Sequence, residues 1–301
     1  TTNIGVDFGF LNNRLTGSFE YYWKYNNDML SSLQLPHQIG INVPKMNIGK
    51  LKTWGWDFNI SWKDQIKDVS YQVSFNLSDS DNKLVEYDGA SNINAGAVSL
   101  LEGYAMNSLW GYKTDGFWSS REEYLKYKEE HPGYKSFNDG NVSGGDVKYV
   151  AQGNPDHEIG VGGATPEDPG DLVYLGNSNG RYLYGINLAV QWKGFDISVM
   201  FQGVAKRKVM VNPEAFAPLY QDHMMPWTIH RDYWTEDNPN AYWPRIYQYK
   251  GNDFNFKTSD RWLQNGAYIR LKNLTVGYTI PVPKKFLDHV RVYVTGEDLW
   301  E

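Results

Sequence analysis

The sequence predicts an all-β protein: a partial antiparallel transmembrane β-barrel of about eight strands, with long extracellular loops. Three observations predict it. Apolar and polar residues alternate with period two in one run after another. Tight turns and very long connections alternate between those runs. Tryptophan and tyrosine gather at the ends of the runs, beside both kinds of connection.

The strands follow in chain order. Thr1 opens directly in a strand pattern with no signal peptide before it, as in a piece of a longer chain. Ile4, Val6, Phe8 and Phe10 form the first apolar face. After the turn "LNN" comes "RLTGSFEYYWKY" (14–25). Its odd positions are Leu15, Gly17, Phe19, Tyr21, Trp23 and Tyr25; its even positions are Arg14, Thr16, Ser18, Glu20, Tyr22 and Lys24. One face is dry and aromatic, the other wet. Trp54, Trp56, Phe58, Ile60 and Trp62 alternate with Gly55, Asp57, Asn59 and Ser61. Val69–Leu77, Ile186–Trp192, Phe195–Phe201 and Val290–Val294 repeat the pattern. In "YIRLKNLTVGYTI" (268–280) the phase slips at Lys272–Asn273, which predicts either a bulge or a strand end above the dry zone.

Connection lengths are one-sided. "LNN", "KDQIKD", "KG" and the segment after Ile280 are short; those at about 26–51, 79–183 and 207–266 are long. Long connections are uncommon in compact domains unless they carry function. Outer-membrane barrels have this asymmetry, with short turns at one rim and long loops at the other. Trp62 and Trp192 lie beside short turns; Trp23, Tyr25 and Trp54 lie beside long loops. Alternation alone also fits a secreted β-sandwich that binds carbohydrate without transport. The one-sided loops and paired rows of tryptophan favour the barrel, with the aromatic faces against lipid.

Composition agrees and excludes other classes. No stretch reaches the roughly 20 apolar residues of a membrane helix, and a mean hydropathy of −0.58 is compatible with a barrel, where only alternate residues meet lipid. The net charge of −6 argues against a nucleic-acid binder, which would show a basic patch. There is no cysteine, hence no disulfide and no cysteine zinc site. No cofactor motif, HExxH or P-loop is present. "GNSNG" (176–180) matches G-x-S-x-G, but a strand rather than a helix follows, so a Gly/Asn turn is expected and no enzyme. "QGNPDHEIG" (152–160) lacks the regular spacing of a calcium loop, and no metal site is expected. His157, His223 and His230 read as ordinary loop residues.

The long loops hold the candidate site. "SSREEYLKYKEEHPG" (119–133) reads as a capped helix, ended by Pro132–Gly133. "LWGYKTDGFW" (109–118) and "MMPWTIHRDYWTEDNPNAYWPR" (224–245) are rich in aromatics. Aromatic rings beside Asp, Asn and Arg suit sugar recognition, the ring stacking on a C–H face while polar neighbours bond to hydroxyls. The same rings can instead pack the loops together. The residues expected to contact ligand are Trp110, Trp118, Trp227, Trp234 and Trp243, with Arg231, Asp232 and Arg245 as hydrogen-bonding neighbours. Asp57, Asn59, Gln191 and Asp196 are expected to face the lumen.

Several long motifs, in order along the chain, resemble SusC/RagA-type TonB-dependent outer-membrane transporters. They are "NIGKLKTWGWDFNISW" (47–62), "GYKTDGFW" (111–118), "GDVKYV" (145–150), "LGNSNGRYLYGINLAVQWKGFDISVMFQG" (175–203), "SDRWLQNGAYIRLKNLTVGYTIP" (259–281) and "VRVYVTGEDLW" (290–300). The resemblance implies the C-terminal portion of the barrel, residues 1–301, without its plug domain. Barrels of this plugged class have about 22 strands, so about eight would leave two unpaired edges. It further implies an outer-membrane importer covered by a SusD-like surface lipoprotein. Oligosaccharide, or in some members peptide, is taken up, with energy reaching the plug through TonB. Where the family has an acidic Asp/Asn/Gly-rich stretch after "GDVKYV", this chain has "AQGNPDHEIG", which departs from the pattern.

Overall fold

The computed structural model describes the chain except residues 33–44, 90–91, 98, 212–216, 220–224, 248–252, 283–286 and 288, and the side chains of 31 and 32. The chain begins with β1 (Thr2–Phe10), β2 (Leu15–Ser32), β3 (Lys45–Ile66) and β4 (Val69–Tyr87). A long connection follows, holding β5 (Ser108–Tyr112), β6 (Thr114–Phe117), α1 (Arg121–Glu130), β7 (Val147–Tyr149) and β8 (Leu172–Asn177). Next come β9 (Arg181–Trp192) and β10 (Phe195–Lys206). A second long connection holds β11 (Lys208–Met210) and β12 (Leu263–Asn265). The chain ends in β13 (Tyr268–Ile280) and β14 (Val290–Trp300).

Eight of these strands form one antiparallel sheet in the order β1-β2-β3-β4-β9-β10-β13-β14. Each strand pairs with the next one to reach the sheet, so the sheet is a meander. Directly opposed residues share a face, and the register therefore carries the alternation across all eight strands. Ile60 faces Phe75, Phe75 faces Ile186, Ile186 faces Phe201, and Val190 faces Ile197. On the other face Ser61 meets Ser74, Ser74 meets Asn187, and Ser198 meets Thr275. Asp57, Asn59, Gln191 and Asp196 belong to this polar face. Asp196 pairs there with Arg291, at 2.5 and 2.9 Å. Gly277 lies directly under that pair: a Cβ on it would come within 2.7 Å of both partners.

The apolar face has no second layer over it among the described residues. Phe19 is 43% exposed, Val190 40% and Val294 76%. Among the described residues the two buried apolar clusters lie wholly in the long connections, and neither takes a residue from the sheet. A sandwich needs two such faces pressed together, so this architecture is the arc of a barrel. The aromatic rows fall where the alternation predicts. Near the short turns Trp192 stacks on Phe195 at 6.4 Å and Phe195 meets Tyr278 at 4.5 Å. Towards the long loops Trp23 faces Trp54 and Tyr21 faces Trp56. From Trp54 to Trp62 the strand rises about 26 Å, comparable before tilt to the roughly 25 Å apolar band of an outer-membrane barrel.

Two sequence expectations change. The strands run further than their alternation: β3 has 22 residues, about 70 Å of extended chain, more than twice the roughly 30 Å of hydrocarbon. Trp23, Tyr25 and Trp54 therefore lie within strands rather than at their ends. Of the expected loop 26–51, residues 26–32 and 45–51 are strand, and the rest lies outside the described residues. The phase slip in β13 is a bulge, with register shifts on both sides of Lys272. The "LNN" turn places Leu11, Asn12 and Asn13 all at positive φ, and the "KG" turn does so at Lys193 and Gly194, as a two-residue hairpin of the right twist requires.

Candidate functional site

The two long connections fold together into one body at the end of the sheet opposite the short turns. Backbone bonds join them: Tyr112 N–H to the Thr258 carbonyl at 2.9 Å, and Arg245 N–H to the Gly145 carbonyl at 3.0 Å. Side chains add to this. Asn255 receives the Val147 N–H (2.8 Å) and donates to the Asp146 carboxylate (3.0 Å), and the Tyr149 hydroxyl donates to the Phe254 carbonyl (2.7 Å). Asp146 is fully buried; burial pushes its carboxyl up, against the bonds from Asn255 and Ser143. The "GDVKYV" run is therefore a hub that ties one connection to the other. Glycine is required at its start, because a Cβ on Gly145 would meet the Trp234 ring at 2.4 Å, and its φ is +88°.

The helix forms as its capping signal predicts. Ser120 Oγ accepts the Glu123 N–H at 3.2 Å, and Glu123 reaches back to the Ser119 N–H at 2.7 Å. Tyr124 points inward and joins Trp118, Tyr127 and Tyr134 in an edge-to-face cluster with centroids 5–6 Å apart. "GNSNG" joins β8 directly to β9, with no helix after it, so the nucleophile-elbow geometry is absent there.

The structure separates the eight predicted ligand residues into two groups. Trp110, Trp118, Trp234 and Trp243 are buried, so no ring face is open to a ligand. Trp110 packs on Tyr104 at 5.1 Å. Trp118 sits in the helix cluster under the Lys148 ammonium, 4.7 Å away. Trp234 covers Gly144 and Gly145. Trp243 stacks on Trp262 at 5.7 Å and donates its indole N–H to the Ile229 carbonyl at 2.7 Å. These four hold the loop body together, which is the physical reason the sequence concentrates them there.

Trp227, Arg231, Asp232 and Arg245 are exposed. Trp227 is 59% exposed, and its backbone N–H donates to His230 Nδ1 at 2.7 Å. Asp232 accepts from Asn238 Nδ2 and from the Tyr242 N–H, both at 3.0 Å. The Asn238 bond, with the Tyr242 bond second, holds its carboxyl below the usual range. Asp232 thus clamps 231–233 against 241–243 and keeps lone pairs free for a further donor. Two residues that sequence reasoning passed over stand beside it: Tyr233 and Tyr242, both about two-fifths exposed. The Tyr242 hydroxyl accepts from Gln264 Nε2 at 2.7 Å, and its carbonyl accepts from Arg261. Residue type alone does not separate these open rings from the buried ones. Arg245 stands apart from this rim, its guanidinium over the Tyr247 ring at 5.6 Å and 3.4 Å from Ser143 Oγ.

Of the three histidines read as ordinary loop residues, His223 lies outside the described residues. His230 is buried edge-on to Trp243 at 4.6 Å. His157 bridges the Asn154 carbonyl (2.6 Å) and the buried Asp171 carboxylate (2.9 Å). Asp171 also receives the N–H groups of Gln152 and Gly160, at 2.7 and 2.9 Å. Both partners of the imidazole are acceptors, so both ring nitrogens must carry protons. The hydrogen bond to Asp171 raises its pKa accordingly. The departure "AQGNPDHEIG" is thus a loop centred on the His157–Asp171 bridge.

No family model matches the chain. Individual proteins do. The chain is 27% identical to TonB-dependent receptor P26 of Formosa agariphila over 316 residues, covering 99% of this chain and 30% of that protein. It is 31% identical to TonB-dependent receptor SusC of Bacteroides thetaiotaomicron over 129 residues, 38% of this chain and 13% of that protein. The chain thus spans 30% or less of the length of these curated relatives. Its fold matches the RagAB peptide transporter (TM-score 0.69, 22% identity, 99% of this chain and 31% of that one). It also matches the RagAB peptide importer in its open-open state (TM-score 0.73, 20% identity, 99% and 30%). A sheet that leaves its apolar side uncovered is what a larger barrel requires of one of its arcs, and the chain is similar in sequence to part of several TonB-dependent receptors, SusC among them, and has the fold of a barrel arc of the RagAB transporter.

Proposed function

We propose that the chain is the C-terminal portion of an outer-membrane importer, forming part of its wall and of its extracellular mouth. The carrying observation is the uncovered apolar face between two aromatic rows, with a folded loop body at one end only. In this reading lipid covers the apolar face, and the polar face with Asp57, Asn59, Gln191 and Asp196 lines the lumen. The plug domain, through which TonB would deliver energy, belongs to the rest of the protein. A SusD-like surface lipoprotein closes over the loop body, and exposed Met225 and Ile229 beside Trp227 suit contact with such a lid. The same reading makes the chain a transporter segment rather than an enzyme.

The substrate in this reading is an oligosaccharide, gripped at the rim of Trp227, Arg231, Asp232, Tyr233 and Tyr242. Open rings beside an ionised carboxylate and a guanidinium match the alternating C–H and hydroxyl surfaces of a sugar. Arg245, next to the Gly145 hub, is a flanking contact. Trp227→Ala with Tyr242→Ala in the full-length transporter is expected to weaken oligosaccharide capture by about tenfold or more, about 1.4 kcal/mol. Titration calorimetry with the lipoprotein present measures it. Unchanged capture of oligosaccharide, or capture of peptides alone, removes the assignment of the rim to sugar.

A further inference from the structure

A second site lies away from that rim, where β9 and β10 leave the sheet. Lys206, Arg207 and Lys208 are consecutive, and Lys206 is the ladder partner of Arg181. With Tyr174 and Asn179 these four cations line a cavity of about 200 Å³. Arg181 is committed to the carboxylates of Asp79 and Asp81, one contact being 2.6 Å. The other three are not so matched. Among the described residues no carboxylate lies within 4 Å of the charged nitrogens of Lys206, Arg207 or Lys208. Lys208 donates to the Leu175 carbonyl and packs on Gly176, where a Cβ would come 3.0 Å from its Nζ. A neutral carbonyl leaves its charge uncompensated. Asn179 Oδ1 is taken by Asn107 at 2.8 Å, which turns its amide N–H groups to the cavity. Four cations against two carboxylates, with an amide donor between them, make a pocket for negative charge.

We propose that this cavity binds an oxyanion carried by the imported substrate, a sulfate ester or a carboxylate. The inference rests on the import reading and adds a substrate class to it. The occupant comes from the lumen side rather than from lipid for two reasons. Lys206 lies an even number of residues from Ser198 and Gln202 and so shares their polar face. The loop that carries Tyr174 packs on that same face: Tyr104 contacts the Tyr174 ring at 5.4 Å and bonds through its carbonyl to Leu84 N–H, while Asn82 Oδ1 receives the Met106 N–H. Leu84 and Asn82 share the register of the polar positions of β4.

The test uses the full-length transporter with its lipoprotein. Its probes are inorganic sulfate, a sulfated tetrasaccharide, the same tetrasaccharide after chemical desulfation, and lipopolysaccharide in detergent. Inorganic sulfate is expected to protect Lys206 and Lys208 from amine-directed labelling, read by mass spectrometry. The sulfated tetrasaccharide is expected to bind on the order of tenfold more tightly than the desulfated one. Lys206→Gln with Arg207→Gln should abolish the preference for the sulfated saccharide and the protection read at Lys208, and Lys206→Arg with Arg207→Lys should retain both, which separates loss of charge from loss of fold. Equal binding of the two saccharides, or no protection by sulfate, overturns the inference while leaving import standing. Protection by lipopolysaccharide but not by the sulfated saccharide assigns the cavity to lipid and also overturns it. Failure to import any saccharide or peptide defeats the import reading itself.

Discussion

The wall and the loop body solve opposite problems with the same residue types. In the wall, Trp54, Trp56, Phe58 and Ile60 stand on a single-layer face with no second layer over it among the described residues. In the loop body, Trp118, Tyr124 and Tyr134 are fully buried in one cluster and Trp262 in another. The wall is held by ladders of backbone bonds, and its apolar side requires an apolar medium. The loop body is held by aromatic packing and a few buried polar links, and it requires water outside. Substitutions should therefore act differently in the two regions.

The largest effect is expected in the loop body. Trp262 has no exposed surface, stacks on Phe256 at 4.9 Å and lies 5.7 Å from Trp243. Trp262→Ala should cost about 3–5 kcal/mol of loop-body stability, the range for removing a large buried aromatic. Limited proteolysis of the full-length protein should show early cleavage within 207–267, while the strand signal in circular dichroism persists. Simultaneous loss of the strand signal would mean that wall and loops are one cooperative unit, and the contrast between them would fail.

The wall has its own test, on adjacent residues. Leu188 is at the middle of β9 on the apolar face, opposite Val73 and Val199; Asn187 is next to it on the polar face, opposite Ser74. Leu188→Arg should cost about 2–4 kcal/mol when the full-length protein folds into lipid vesicles, as a cation near the bilayer midplane does. Asn187→Arg should cost far less. Equal costs would mean that the two faces meet the same medium.

This contrast also explains how much was legible in the sequence. The wall was legible because one apolar and one polar face impose period two over whole strands. Legibility ended where that two-faced pattern ends. In β2 the pairing shifts around Met29, and Asp28 takes a positive φ, so residues 26–32 are strand without clean alternation. The loop body was legible only in its helix, which carries a local capping signal. Its tryptophans read either as ligand platforms or as packing, and residue type does not say which, because burial there depends on contacts more than 100 residues apart, such as Asn255 with Asp146. Trp243 and Tyr242 are neighbours in sequence, yet one is buried and the other open.

The smallest expected effect sharpens the comparison, because the loop body works in water and should answer to pH where the wall does not. His157 holds the 152–171 loop by bridging Asn154 and Asp171. Its folded pKa is raised, chiefly by the bond to Asp171, above the ordinary value of 6.5. A raised value means that the bridge contributes fully below about pH 6.5 and is lost as pH rises through the folded pKa. The ring is 40% exposed, so solvent screening keeps the contribution under about 1 kcal/mol. Hydrogen exchange at the Gln152 and Gly160 amides, which donate to the same carboxylate, reads it directly. Protection corrected for intrinsic rate should fall between pH 6 and pH 8, and His157→Gln should flatten that dependence, because a neutral amide does not change its protonation in that range. Amides of β9 at the level of Leu188 should show no such step. If they shift in parallel, the pH response belongs to the whole fold, and the independence of loop body from wall is lost with it.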